Sequence, residues 1–242
     1  MNKLIENGIV VSIGSPKSGV GKSVITSLVV SCIHKLWGDK LRVAAVDCDD
    51  VQYSLHKFRE RDLEAKDGSE VNHYRLLKIS SEVLPSEVEF LRDEYDIIFI
   101  DLPSNLNQQT LIQCYNLVDV LIVPTKVNSL DWQSTIDFLR IYKRTIIPTR
   151  ENLELGTAIY GLLSGLDVYD ANFLEQNFEK FRMSLQVELL QNFVPEYETS
   201  TQRKLTTTFN SENFNCKNYE DLSREMLNKI ILGVGNDLLV IN

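Results

Sequence analysis

Ile9-Val10-Val11-Ser12-Ile13-Gly14-Ser15-Pro16-Lys17-Ser18-Gly19-Val20-Gly21-Lys22-Ser23 is the stretch that decides how this chain folds. Its first five residues, apolar but for one serine, predict a short buried strand. Gly14, Pro16, Gly19 and Gly21 predict a turn, and Lys22-Ser23 opens a long helical run. Strand, glycine loop and Gly-Lys-Ser at a helix start form a phosphate-cradling P-loop. Glycines let several backbone N–H groups converge on one anion, and the helix start adds the positive end of its dipole. In this arrangement Lys22 reaches the β- and γ-phosphates, and the Ser23 hydroxyl ligates Mg²⁺.

The usual spacing G-x-x-x-x-G-K-[ST] would put its first glycine at position 16, where this chain has Pro16. What stands here is Lys17-Ser18-Gly19-Val20-Gly21-Lys22-Ser23, with a second lysine five residues before the first. This resembles the deviant Walker A motif, K-G-G-x-G-K-[ST], of the ParA/MinD family of dimeric ATPases. The resemblance implies an α/β fold of the P-loop NTPase type: a mostly parallel twisted sheet with helices on both faces. It also implies ATP and Mg²⁺ as cofactors, held by residues 17–24 (Lys17, Ser18, Gly19, Val20, Gly21, Lys22, Ser23 and Val24). Lys17 would reach the nucleotide of a second copy across an ATP-dependent homodimer. Ser18 departs from the family's glycine, a strained choice if that backbone needs positive φ.

Downstream, Leu41 to Val46 predicts a buried strand that delivers Asp47-Cys48-Asp49, and Ile97-Ile98-Phe99-Ile100-Asp101 has the Walker B form. In open parallel sheets ligands sit beyond the carboxyl ends of strands, where these carboxylates fall. The resemblance assigns Asp47 and Asp101 to the magnesium, with Ser23, and Asp49 to the attacking water. Lys17, Lys22 and Asp49 are thus the catalytic candidates. Asp47 also reads as a strand-end cap. The family often has D-x-D-P-Q, whereas this chain reads Asp47-Cys48-Asp49-Asp50-Val51-Gln52. With Tyr53-Ser54 and Phe58-Arg59-Glu60-Arg61-Asp62, that form looks like the ParA-type TraA proteins of Bacteroides conjugative transposons. The likeness is specific over residues 9–62, fair over 95–144 and weak from 150 onward.

The remaining elements alternate. Helices are expected at Ser23–Trp37 (ended by Gly38), 85–92, 107–117, 129–142 (capped by Asn128 or Ser129), 171–186 and 219–232, and 52–65 reads as a charged amphipathic segment. Further strands are expected at 76–79, 119–124, 158–163 and 189–194, and a polar loop at 197–218. No linker, repeat or low-complexity tract divides the 242 residues, so residues 1–242 read as one domain.

A net charge of −9 makes the chain a poor polyanion binder unless a basic patch forms locally. Arg140, Lys143, Arg144 and Arg150 form one candidate patch, and Arg203-Lys204 with Arg224 and Lys229 form another; a solvated helix face is the alternative for each. Lys126 reads as a switch-region contact or a solvated loop lysine. Val194-Pro195 falls where the family contacts adenine, and Cys48 reads as core. The four cysteines lack C-x-x-C spacing, and with an ATP motif they indicate reduced thiols in the cytoplasm. No signal peptide or membrane span is read from the sequence. The apolar, cation-free tail after Lys229 speaks against a membrane partner.

The function implied is a nucleotide-driven dimer switch acting on DNA partitioning or a conjugative-transfer assembly. Its partners would be DNA bound non-specifically through the patches and a ParB-like or conjugation-machinery protein. The alternatives are a MinD-like membrane-positioning ATPase, a dethiobiotin-synthetase-like small-molecule enzyme, and an ATP-binding regulator with little hydrolysis.

Overall fold

Runs of β-branched and aliphatic residues without polar alternation form strands covered on both faces, and four of them build the middle of this molecule. They are β1 (Ile9–Ile13), β2 (Val43–Asp47), β4 (Ile97–Asp101) and β5 (Val120–Thr125), buried along their whole length. The computed structural model describes residues 4–17, 19–50, 52–65, 73–103, 109–166, 168–195 and 216–235. With β3 (Arg75–Lys78), β6 (Ala158–Leu166), β7 (Glu188–Leu189) and β8 (Val194–Pro195) they make one sheet ordered β3-β2-β4-β1-β5-β6-β7. β8 also pairs with β6, and every pairing is parallel.

The strands alternate their side chains between two cores, as a period of two requires. Ile9, Val11, Ile13, Val43, Ala45, Ile97, Phe99, Val120 and Ile122 face one side. There they meet α1 (Lys22–Trp37), α2 (Ser54–Ala65) and α8 (Cys216–Gly233). Val10, Ala44, Val46, Ile98, Ile100, Leu121 and Val123 face the other. They meet α3 (Leu84–Glu94), α4 (Gln109–Tyr115), α5 (Ser129–Thr145) and α7 (Val168–Leu185). Each fully buried aliphatic side chain contributes about 1.5–3 kcal/mol, so this double-faced core fixes β1 at the centre and with it the loop that follows.

Several expectations are corrected. The strand foreseen at 189–194 is two strands of two residues each, because Leu190 to Phe193 leave the ladder between the pairings Gly161–Leu189 and Ser164–Val194. A short helix, α6 (Ile147–Glu151), follows α5 without having been foreseen; Pro148 starts it rather than ending its predecessor. The last helix begins at Cys216, inside the segment expected to be loop. Gly38 closes α1 at an ordinary φ of −65°, and its lack of a side chain matters because a Cβ would lie 2.4 Å from the His34 carbonyl oxygen. Of the two cap candidates for α5, Asn128 caps it, accepting from the Asp131 N–H.

Candidate nucleotide-binding site

The turn after β1 runs into α1 through Gly19 and Gly21, whose φ angles of +82° and +87° lie in the left-handed region that favours glycine. A Cβ at either would meet nothing within 4 Å, so the glycines are there for backbone conformation, not for space. Ser18 lies outside the described residues. The start of α1 has neither a side-chain cap nor an acidic residue in its first turn. α5 has both, in Asn128 and Asp131. A helix start lacking these partners presents N–H groups and a positive dipole end to an anion. Lys22 and Ser23 open this helix, Val24 packs its side chain on the core below, and Val20 is half-buried before it.

Strand register sets the carboxylates. β2 and β4 pair Asp47 with Asp101, side by side at the carboxyl edge of the sheet next to β1. Asp101 is 1% exposed; neither carboxylate oxygen closes a well-formed hydrogen bond, and the Ser23 hydroxyl lies close enough to act on the carboxyl. Burial pushes its carboxyl up to about 7; the Ser23 hydroxyl and the Lys22 ammonium pull the other way, and Asp47 and Asp49 add to the rise. Lys22 lies in the same charge group: burial lowers its ammonium pKa, opposed by Asp101 and Asp49. Its Nζ also donates to the Lys17 carbonyl across the loop at 3.4 Å. Asp47 is divided between two tasks. Its Oδ2 accepts from the His56 backbone N–H at 3.1 Å and lies 3.2 Å from His56 Nδ1, holding the first turn of α2, while its buried Oδ1 has no partner. The strand-end cap and the unpartnered oxygen therefore coexist on one side chain.

Two features were not legible in the sequence. The Lys17 ammonium lies 2.6 Å from Asp131 Oδ1, at the start of α5, and hydrogen bonds from Lys17 and Asn128 hold the Asp131 carboxyl below its usual pKa. These partners are 114 positions apart, and no local pattern announces them. Lys126, following β5, lies near enough to Asp131 to lower its pKa too, and its chain packs against Gly165. Second, Asp50, which reads in the sequence only as a departure from D-x-D-P-Q, accepts from Ser81 Oγ at 3.1 Å and from the Tyr53 hydroxyl at 3.3 Å. Asp49 accepts from the Gln52 N–H at 3.0 Å.

The first basic patch loses Arg150, which is 1% exposed and ion-paired to Asp119; Arg140 and Arg144 stay on the surface, Arg140 paired with Asp137, and the half-exposed Lys143 donates to the Gln186 carbonyl. In the second, Arg224 stacks over Trp37 and Lys229 pairs with Glu188; Arg203 and Lys204 lie outside the described residues. Cys48 is buried, as a core residue would be, and Val194-Pro195 pairs with the far end of β6. No helix among the described residues is long and apolar enough to cross a membrane, and no cluster of three or more His, Cys, Asp or Glu that could hold a metal occurs among them.

No protein-family model matches this chain, and no curated protein sequence matches it. Solved structures do. The MinC:MinD cell division protein complex of Aquifex aeolicus aligns with a TM-score of 0.65 at 17% identity, covering 91% of this chain and 96% of that one. The pNOB8 ParA bound to nonspecific DNA aligns at 0.64 and 17%, covering 95% and 99%. A putative plasmid partition protein (BB_S35) from Borrelia burgdorferi B31, bound to AMPPNP, aligns at 0.61 and 20%, covering 92% and 99%. The class these likenesses define is the P-loop α/β fold of MinD and ParA, and at such identities it is the fold that they establish.

Proposed function

We propose that this chain is an ATPase of the ParA/MinD kind that binds MgATP, closes into a homodimer around it and reopens on hydrolysis. The observation that carries the reading is the uncapped, acid-free start of α1 beside Asp101, a buried carboxylate with no well-formed hydrogen bond on either oxygen. Those residues fit the group. Mg²⁺ needs one or two carboxylates besides substrate phosphates and water, and Asp101, the free oxygen of Asp47 and the Ser23 hydroxyl are the donors at hand. Bound MgATP supplies the phosphoryl group to be transferred. Lys22 neutralises charge at the phosphates, residues 19–24 hold them through backbone N–H groups, and Asp49 orients the attacking water. The Borrelia protein's AMPPNP complex supports the nucleotide assignment.

Lys17 is the residue lent to the second subunit. Its pair with Asp131 does not oppose that role, because the Lys17 side chain is 41% exposed. A pair at that exposure is worth about 0–1 kcal/mol. A triphosphate carries about four negative charges and outcompetes one carboxylate for the lysine.

The assembly driven is a DNA-partitioning or conjugative-transfer complex in the cytoplasm, as the resemblance to TraA-type sequences and the DNA complex of pNOB8 ParA both favour. Two assays test these arms. Turnover of ATP with Mg²⁺ is expected in the wild type and lost in Asp49→Ala; a wild type that binds ATP without hydrolysing it would leave a regulator. DNA retention at low salt is expected to rise with ATP, and equal retention without ATP removes the DNA arm.

A further inference from the structure

The loop that carries Asp49 is fastened to the edge of the sheet by contacts that the ATPase reading does not use. Asp50 Oδ2 accepts from Ser81 Oγ at 3.1 Å and from the Ser81 N–H at 3.4 Å, while its Oδ1 accepts from the Tyr53 hydroxyl at 3.3 Å. Ser81 lies just past β3, the outermost strand on that side. Lys78, the last residue of β3, places its ammonium 3.6 Å from the centre of the Tyr53 ring. Tyr53 itself has φ of +44°, a left-handed conformation that is an outlier for a bulky residue. Strain of this kind persists only where surroundings over-determine it. Here the Tyr53 N–H donates to the Asp49 carbonyl at 2.9 Å, its hydroxyl donates to Asp50, and its ring lies under Lys78.

These contacts converge on the residue between them. Asp49 is tied to Tyr53 through its own carbonyl and to Gln52 through its carboxylate, and both lead into α2. A carboxylate that must orient a water gains from a loop with one conformation, since small misplacements of reacting groups are expensive in rate. We propose that Asp50 is a positioning residue: with Ser81, Tyr53 and Lys78 it clamps this loop to the end of β3 and so fixes Asp49 for hydrolysis. The proposal rests on the ATPase reading above. It adds a function for the residue by which this chain departs from D-x-D-P-Q, since an aspartate anchored on Ser81 replaces the rigidity of a proline.

The test compares Asp50→Ala, Asp50→Asn, Ser81→Ala and the Asp50→Ala/Ser81→Ala double variant with the wild type in single-turnover ATP hydrolysis and in binding of a fluorescent non-hydrolysable ATP analogue. Asp50→Ala is expected to slow the hydrolysis step by about tenfold to a hundredfold. Analogue affinity should stay within about twofold, because the loss lies in the transition state and not in ground-state binding. Asp50→Asn and Ser81→Ala should fall between, and the double variant should be no slower than Asp50→Ala, since both changes open one clamp. Should Asp50→Ala fail to fold, Ser81→Ala opens the same clamp from its other side and is read in the same way. Wild-type turnover that Asp50→Ala and Ser81→Ala leave unchanged, or singles whose losses multiply in the double, overturns the clamp while the ATPase reading stands. A wild type without any turnover overturns both.

Discussion

The two ends of the sheet each bury charge and treat it in opposite ways. At the amino end, Asp119 accepts from the Val10 N–H at 2.9 Å, Arg92 at 2.6 Å and Arg150 at 2.9 Å, so both of its oxygens are taken. Asp96 likewise takes the Leu4 and Ile5 N–H groups on one oxygen and the Arg42 N–H on the other. At the carboxyl end Asp101 is as deeply buried as Asp96, yet neither of its oxygens closes a well-formed hydrogen bond, nor does one of Asp47's. A buried polar group with partners holds a fold together, and one without them costs stability that the fold must supply elsewhere. The difference separates two uses of a buried carboxylate: those at the amino end are partnered and tie the starts of the strands together, and the proposed function gives those at the carboxyl end a ligand to hold.

Substitutions at the two ends should therefore have opposite signs. The largest effect is expected for Arg150→Met, which removes a 1%-exposed guanidinium that serves Asp119 and the Asn116 and Gly156 carbonyls. Breaking such a buried pair should lower the unfolding free energy by about 3–5 kcal/mol in chemical denaturation. Asp101→Asn should do the reverse, raising stability by about 1–3 kcal/mol at pH 8 while removing Mg²⁺-dependent ATP binding. A loss of stability in Asp101→Asn would erase the contrast.

The Asp101 prediction carries a pH signature. Its folded carboxyl is raised from an ordinary value near 3.8 to about 7, so the folded state resists ionising it. The penalty is absent below the lower value, grows as pH rises through that window and is complete above the upper one. The stability gain of Asp101→Asn should accordingly vanish near pH 4. Before a ligand arrives, Mg²⁺ must also displace a proton below pH 7, so Mg²⁺-dependent nucleotide affinity should fall from pH 8 to pH 6. Affinity that is flat across this range would place the metal elsewhere. The smallest effect is expected at the loop: Gly21→Ala, with φ at +87° and open space around it, should cost about 1 kcal/mol of stability through backbone strain alone.

The same contrast explains what could be read from the chain. β1, β2, β4 and β5 were legible because strands buried on both faces leave an unbroken apolar signature, and the lysine, glycines and aspartates of the carboxyl edge follow them at fixed offsets. β7 and β8 could not be told apart, since two residues carry no periodicity and 189–194 reads as a single strand. Arg150 was misplaced on a basic surface because its partners Asn116, Asp119 and Gly156 are joined only by the fold, and sequence proximity to Arg140 and Arg144 suggested a patch. The Lys17–Asp131 pair and the Asp50–Ser81 anchor were invisible for the same reason. Asp47 and Asp101 close buried strands and Ser23 stands in the first turn of α1, so their positions in the fold follow from elements the sequence makes plain.

The dimer switch is tested most directly by the mass of the protein in solution with Mg²⁺ and a non-hydrolysable ATP analogue, measured by light scattering for the wild type and for Lys17→Ala. The wild type is expected to shift from one chain to two when the analogue is added, and Lys17→Ala to bind the analogue and remain a single chain. A wild type that stays a single chain when saturated with analogue, or a Lys17→Ala variant that pairs as readily, would contradict it.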